Sequence, residues 1–271
     1  MISITDKEFE ELVIYIKQNY GINLIEKRSL LESRLQGVLT KRECSSFSEY
    51  FRQILRDKSG ELVDELLDKV TTNYTFFLRE KKHFHFYKNT VLPYVEKKYA
   101  KEKDLRIWSA GCSSGEEAFT LAMINNDYFE NGAKWDKKIL ATDICSEVLE
   151  TAVKGEYEHG QLAMVPEPWK ASYFQKTCPD KSKVTDRIKK DIIFRRFNLM
   201  NKAFPFKRKF HAIFCRNVMI YFDEETKSKL VNRFYNSLEQ GGYLFVGSSE
   251  SLNYCHNNRF KYVMPSVYQK Q

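Results

Sequence analysis

The chain has 271 residues, 42% of them hydrophobic, with 16 Tyr and 20 Phe, enough for one large domain or a domain of about 200 residues with a smaller partner. Its formal net charge of +8 fits an anionic partner (nucleic acid, a membrane surface or an acidic protein) and fits a generically basic soluble protein equally well. No run approaches the roughly 18 apolar residues of a membrane span, and the start, MISITDKEFEE, is acidic rather than signal-like, so the expectation is a cytoplasmic protein with no inserted segment.

Residues 5 to about 70 read as helices only. Thr5 with Glu8 makes a capping box, and Phe9, Leu12, Val13, Ile16 and Tyr20 follow at helical spacing up to Gly21. A second helix carries Leu30, Leu31, Leu35, Val38 and Leu39. Ser46 with Glu49 caps a third, with Tyr50, Phe51, Ile54 and Leu55 inward, and a fourth follows Gly60 with Leu62, Val63, Leu66, Leu67 and Val70. Lys27, Arg28, Arg34, Lys41 and Arg42 gather on and after the second helix beside Glu26, Glu32 and Glu43. That cluster reads as a surface for an acidic partner or as an ordinary solvated face.

After residue 100 the rhythm changes. Strands are expected at 105–111, 137–144, 191–199 and 210–217, with helices from GEEAFTLAMINNDYF and SEVLETAVKG between them. DEETKSKLVNRFYNSLEQGG predicts a helix with acidic residues in its first turn and glycines after its end. YLFVGSS and RFKYVMPSVYQK close the chain as strands. This alternation means an α/β fold with a doubly wound, mainly parallel sheet. The alternation breaks between 156 and 190, where a short helix near PEPWKASYF and the polar run FQKTCPDKSKVTDRIKK suggest a small antiparallel insert.

Cys44, Cys112, Cys145, Cys178, Cys215 and Cys255 have no Cys-x-x-Cys pairing and read as reduced thiols. The five histidines are scattered; His83 and His85, two apart in a helix, point to different faces, so no metal is expected. The stretch WSAGCSSGEEAF (108–119) has three readings: the G-x-S-x-G elbow of a serine hydrolase, a glycine turn holding a nucleoside ligand, or a turn that is merely tight. The elbow needs several preceding strands and a late histidine after the acid, yet helices alone precede it, and His211 and His256 lie at a strand start and in a polar loop.

The ligand turn fits better. Gly111 and Gly115 lie just past the first strand, and Asp143 ends the second, 28 positions after Gly115, where a carboxylate accepts both hydroxyls of a ribose. Glu116 and Glu117 stand at the helix N-terminus and would repel a pyrophosphate, so a ribose-bearing ligand with a positively charged amino-acid tail suits the turn; S-adenosylmethionine is such a ligand. Ordinary helix N-terminal charge, worth about 0.3–1 kcal/mol each, is the plainer reading of either glutamate alone.

The stretches TTNYTFFLRE (71–80), WSAGCSSGEEAFTLA, ATDICSEVLETA, FNL (197–199) and IFCRNVMIYFD (213–223) resemble the CheR family of chemotaxis receptor methyltransferases over nearly the whole chain. The last stretch is highly specific to that family, whereas serines stand where many members have alanine or threonine in the glycine turn. The resemblance implies an all-α domain over 1–72 and a methyltransferase domain over 73–271, with a seven-stranded sheet and an inserted β-subdomain at 156–192. It implies protein-glutamate O-methylation of cytoplasmic chemoreceptor helices with S-adenosylmethionine, and the expected state is a monomer without a nucleic-acid partner or direct membrane insertion. Carried over position by position, it places Asn73, Thr75, Arg79, Gly111, Glu116, Asp143, Asn198, Leu199, Arg216, Asn217 and Tyr221 around the cofactor. Arg79, Arg216 and Tyr221 are the expected catalytic residues, acting as hydrogen-bond donors that position a carboxylate. Some members hold a receptor-tail peptide on a glycine-containing hairpin of the insert. The run from Phe174 through Phe194 has no glycine, and Pro179 and Asp180 suit a tight turn, so recognition without that tether is expected.

Two rivals come from other classes. A nucleic-acid methyltransferase would explain the charge, but position 217 continues N-V-M-I-Y rather than N-P-P-Y, and the one Cys-Pro, Cys178-Pro179, falls in the polar insert. A non-catalytic cofactor sensor is the second, against which the full motif set argues.

Overall fold

The computed structural model describes residues 2–130, 134–252 and 259–271; Cys255 and His256 lie outside them. Four helices come first: α1 (Asp6–Tyr20), α2 (Arg28–Lys41), α3 (Phe47–Arg56) and α4 (Glu61–Val70). The α1 box is formed, with Thr5 Oγ1 accepting from the Glu8 N–H at 3.3 Å and Glu8 accepting from the Thr5 N–H at 2.9 Å. At α3 only half a box forms, because Glu49 turns to the N–H and hydroxyl of Ser45, both at 2.8 Å. The buried stripes of the four helices do not close a core of their own. They run continuously into Trp108, Ile213, Phe234 and Leu244, so the helical layer is seated on one face of the sheet.

Four of the five clustered cations have partners within this layer, while the Lys41 side chain stays 71% exposed. Arg34 caps the C-terminus of α4 through the carbonyls of Val70 and Thr71 at 3.2 and 2.9 Å, which neutralises that end of the helix dipole. Lys41 and Arg42 grip Glu65 at 3.2 and 2.9 Å, and Arg28 pairs with Asp6.

The remainder comprises α5 (Lys81–Phe86), a π-turn (Tyr87–Val91) and α6 (Leu92–Lys98), then β1 (Ile107–Ala110), α7 (Glu116–Phe129), β2 (Ile139–Asp143) and α8 (Ser146–Lys154). The insert holds β3 (Glu156–Glu158), α9 (Glu167–Tyr173), β4 (Phe174–Cys178), β5 (Lys181–Val184) and α10 (Asp186–Lys189). The main sheet resumes with β6 (Ile192–Arg196), β7 (Phe210–Cys215), α11 (Glu224–Ser237), β8 (Leu238–Val246), β9 (Phe260–Met264) and β10 (Val267–Lys270). The seven-stranded order is β6-β2-β1-β7-β8-β10-β9; the first five strands run parallel, and β10 runs antiparallel to both its neighbours, β8 and β9. The chain steps outward from β1 to β2 and later returns to β1's other side with β7, which puts the switch point between β1 and β7. Along β1, Trp108 and Ala110 face the helical layer while Ile107 faces the core built with Phe119 and Phe214.

The insert is the expected antiparallel sheet, ordered β3-β5-β4, with Pro179 and Asp180 alone turning β4 into β5. One boundary differs from the sequence reading. Helix α11 stops at Ser237, and Glu239 through Gly242 belong to β8 because Leu238 already pairs with Phe210. Gly241 takes a φ of 81° there, with the Tyr94 hydroxyl 2.1 Å from where a Cβ would stand.

At the strand ends opposite the switch-point loops, His211 is buried near the start of β7 with its Nδ1 accepting from the Arg106 N–H at 3.0 Å and its ring 4.3 Å from that of Tyr99. Burial, with Arg106, Lys98 and Arg208 nearby, pushes its pKa down to about 3. A histidine held neutral in the folded state stabilises above its unfolded pKa of about 6.5 and loses that contribution as pH falls toward the folded value. The expected loss between pH 7 and pH 5 is about 2 kcal/mol. Urea unfolding at the two pH values checks this: His211→Asn, which keeps an acceptor but cannot titrate, should lose that part of the difference, and an unchanged difference would remove His211 as its source.

Candidate cofactor site

The turn after β1 is built by hydrogen bonds that only small residues permit. Gly111 has a φ of 89°, and a Cβ there would come within 2.3 Å of Val218, so this position is closed to other residues. The N–H groups of Gly111 and Cys112 donate to the Thr142 carbonyl at 2.7 and 2.9 Å, which fastens the turn to the end of β2. Ser113, with a φ of 48°, donates its N–H to Asp143 at 2.8 Å and its hydroxyl to the Asn73 carbonyl at 2.8 Å. The Tyr157 hydroxyl, from the insert, donates to the Ser114 carbonyl at 2.6 Å.

Asp143 therefore has each oxygen oriented, one by Ser113 and the other by the Cys145 N–H at 3.1 Å. Burial raises its pKa, and these N–H donors work against that rise. A carboxylate has about four lone-pair sites, so both oxygens keep capacity to accept from a ligand's hydroxyls.

A single cavity opens here, walled by Thr71 through Phe76, the glycine turn, Phe197 through Leu199 and Arg216 through Val218, with Tyr20 and Ile22 of the helical layer above. Asn73, Thr75, Arg79, Gly111, Asp143, Asn198, Leu199, Arg216, Asn217 and Tyr221 all line it. Glu116 does not. Neighbouring residues on a helix point about 100° apart, and here Glu116 turns under to the Ser114 hydroxyl at 2.8 Å, 1% exposed. Glu117 takes the cavity wall instead, accepting from Ser109 at 2.6 Å and from Arg216 Nη1 at 2.9 Å.

Arg216 uses four of its five N–H donors on neighbouring groups. Its side chain is 3% exposed, with Nη1 on Glu117 and with Nε and Nη2 on Glu80 at 3.3 and 3.1 Å; Nη2 also donates to the Arg79 carbonyl. Glu80 is further held by the N–H and hydroxyl of Ser248 at 3.1 and 2.9 Å. Burial works to raise the Glu80 carboxyl, but Arg216 and Ser248 outweigh it and leave the pKa lowered. Arg79 gives one bond to the Tyr74 carbonyl at 2.9 Å and lies 5.9 Å from the Phe76 ring centre, and Tyr221 donates to the Thr72 carbonyl at 3.3 Å. Asn198 reaches the Asn19 carbonyl of α1 at 2.8 Å, and Asn217 adopts a φ of 60°.

Sequence reasoning missed Glu80, Ser113, Cys145 and Glu250 here. Glu250 is buried and accepts from the N–H groups of Asn217 and Ile220, both at 3.0 Å, fixing the 217–221 turn. The Glu-Glu doublet and Arg-Glu at 79–80 were visible signals; Glu250 gave none, since its partners are backbone groups. Among the described residues no group of three or more His, Cys, Asp or Glu is arranged to hold a metal, and no helix is long and apolar enough to cross a membrane.

Residues 73–268 match the family model described as CheR methyltransferase, SAM binding domain, and residues 7–71 match that of the CheR methyltransferase all-alpha domain. The chain belongs to the CheR methyltransferase family. It is 42% identical to the chemotaxis protein methyltransferase of Borreliella burgdorferi, over 99% of this chain and 96% of that one. It is 38% identical to a probable chemotaxis protein methyltransferase of Rhizobium etli, over 88% and 90%, and 35% identical to the Vibrio parahaemolyticus chemotaxis protein methyltransferase, over 93% and 91%.

The cofactor of this family, S-adenosylmethionine, suits the donor set present. Asp143 offers an oriented carboxylate for ribose hydroxyls, and the turn directs its own N–H groups at Thr142 and Asp143 rather than at a phosphate. Replacing Asp143 by Ala should weaken S-adenosylhomocysteine binding by roughly ten- to a hundredfold, the cost of about 1.5–3 kcal/mol for a charged hydrogen-bond acceptor. Titration calorimetry is the check, and unchanged affinity would take Asp143 out of the site.

Proposed function

We propose that the chain methylates glutamate side-chain carboxylates on cytoplasmic helices of chemoreceptors, giving glutamate methyl esters. In this reading it works in the cytoplasm as a monomer, without nucleic acid or membrane insertion, and divides into a helical unit of 1–72 and a methyltransferase unit of 73–271. The observation that carries the proposal is the cavity edge. Arg79 and Tyr221 are donors held by one modest contact each, to Tyr74 and Thr72, while the cavity's own carboxylates, Asp143 and Glu117, are already bound.

Such a site suits a nucleophile that needs no base. A substrate glutamate near its ordinary pKa of about 4.3 is ionised at pH 7. S-adenosylmethionine, when bound, supplies a methyl group already activated on a sulfonium. What the chain has to supply is alignment and exclusion of water. Asp143, Asn73, Thr75, Gly111, Asn198, Leu199 and Asn217 hold the cofactor in this reading. Arg79 and Tyr221 orient the incoming carboxylate with single donors, which leaves it nucleophilic. Arg216 keeps Glu80, Glu117 and the Arg79 carbonyl in place and so positions Arg79. Glu116 supports the turn from beneath. The two-residue turn at Pro179–Asp180 fits a substrate reached by direct contact with its helices rather than through a tail peptide.

Labelled methyl from S-adenosylmethionine should pass to receptor cytoplasmic fragments and be released by mild base, as an ester requires. Arg79→Ala and Tyr221→Phe should each reduce transfer by about ten- to a hundredfold through misalignment while nearly keeping the melting temperature. Near wild-type transfer by both variants would defeat the positioning assignment, and base-stable label would defeat the carboxylate.

A further inference from the structure

The segment Asn73–Phe76 is a ridge with a depression on each side. One is the cofactor cavity; the other is an open groove of about 590 Å³, whose second wall is Gly160, Gln161 and Met164 of the insert. Tyr74 lines both and is 72% exposed, and Met164 is 44% exposed. Single exposed apolar side chains are common on protein surfaces. These two differ in being presented on both walls of one groove by backbone that is tightly held. Asn73 is fixed by Ser113 at 2.8 Å and by its own bond to Cys145 Sγ at 3.1 Å, and the Tyr74 carbonyl is held by Arg79 at 2.9 Å. The Met164 wall is anchored through Tyr157 to Ser114 at 2.6 Å. Exposed aromatic and methionine side chains are enriched where partners bind, the aromatic because its few rotatable bonds lose little freedom when covered and the methionine because its flexible, polarizable chain adapts to what it meets.

Charge divides the two sides of the ridge. The groove lining has no cation, and its one carboxylate, Glu116, is turned under to Ser114, whereas the cavity side carries Arg79. A substrate carboxylate therefore belongs on the cavity side and an apolar neighbour on the groove side. On a helix, residues three or four positions apart lie about 5–6 Å from each other on one face, so a carboxylate and an apolar neighbour one turn away are presented side by side.

Resting on the carboxylate-methylation reading, we infer that this groove seats the substrate helix. Tyr74 and Met164 clasp an apolar side chain one helical turn from the acceptor glutamate, and this contact selects which glutamates are methylated.

The test is steady-state methylation of receptor cytoplasmic fragments by the wild type, Tyr74→Ser, Tyr74→Phe and Met164→Ser, with KM and kcat resolved separately. Both serine variants should raise the KM for receptor by roughly five- to tenfold, Met164→Ser with kcat within about twofold, and Tyr74→Phe should behave as wild type. In the matching substrate experiment, serine in place of the apolar residue one turn from a methylated glutamate should raise KM similarly for the wild type and little further for Met164→Ser. S-adenosylhomocysteine affinity and melting temperature of Met164→Ser should match wild type, which excludes a general structural effect. Unchanged KM in both serine variants, against a methylating wild type, would overturn the groove and leave the function standing. No transfer by the wild type would overturn both.

Discussion

The site depends on how a buried guanidinium is compensated. Arg216 stands at the end of β7 with its side chain nearly sealed from water. Removing such a charge from water costs several kcal/mol unless partners surround it. Its partners come from two other places in the chain: Glu80 and the Arg79 carbonyl at the end of the 71–80 segment, and Glu117 in the first turn of α7. Ser248, beyond β8, joins through Glu80. Satisfying one cation thus draws the linker, the central helix and two neighbouring strand ends to a single point. That point is the wall of the cavity at the switch between β1 and β7.

The rest of the cavity follows from this and from a second constraint, the turn after β1. Gly111 and Ser113 occupy left-handed backbone, the turn hangs from the Thr142 carbonyl, and its next N–H is given to Asp143. The cofactor-facing carboxylate is therefore oriented before any ligand arrives, which reduces the ordering cost of binding. The helical layer closes the top through Tyr20 and Ile22, tied down by Asn198 on the Asn19 carbonyl, Asn23 on the Tyr221 carbonyl at 2.8 Å, and Lys17 on Asp223 at 2.8 Å. A pre-formed enclosure of this kind suits chemistry in which alignment is the main contribution asked of the protein.

Much of this was legible in the residue order, and the exceptions have identifiable causes. Thr5–Glu8, the four apolar stripes and the strand–helix alternation all report local hydrogen bonds or burial on one element, which a linear pattern encodes. The Glu116–Glu117 doublet marked the right turn but not which glutamate faces the cavity, because that depends on helix phase relative to the sheet. Within the basic cluster on α2, the capping role of Arg34 was hidden because it answers carbonyls of residues 70 and 71, which are hydrogen-bond acceptors without any charge in the sequence. The end of α11 was misplaced because helical propensity continues through Glu239 and Gln240, while pairing of Leu238 with β7 wins. Glu80 and Glu250 escaped because their roles are long-range ties to an arginine and to backbone N–H groups.

The most direct test of this account is Arg216→Lys, read by thermal unfolding and S-adenosylhomocysteine calorimetry on the same preparation. Lysine keeps the charge but cannot reach two carboxylates and a carbonyl at once with fork geometry. Leaving buried charges unmatched costs about 3–5 kcal/mol, so the melting temperature should fall by roughly 6–20 °C and cofactor affinity should fall with it. A variant that keeps wild-type stability and cofactor affinity while losing only turnover would contradict the account, since it would mean that Arg216 is free to touch the substrate rather than holding the site together.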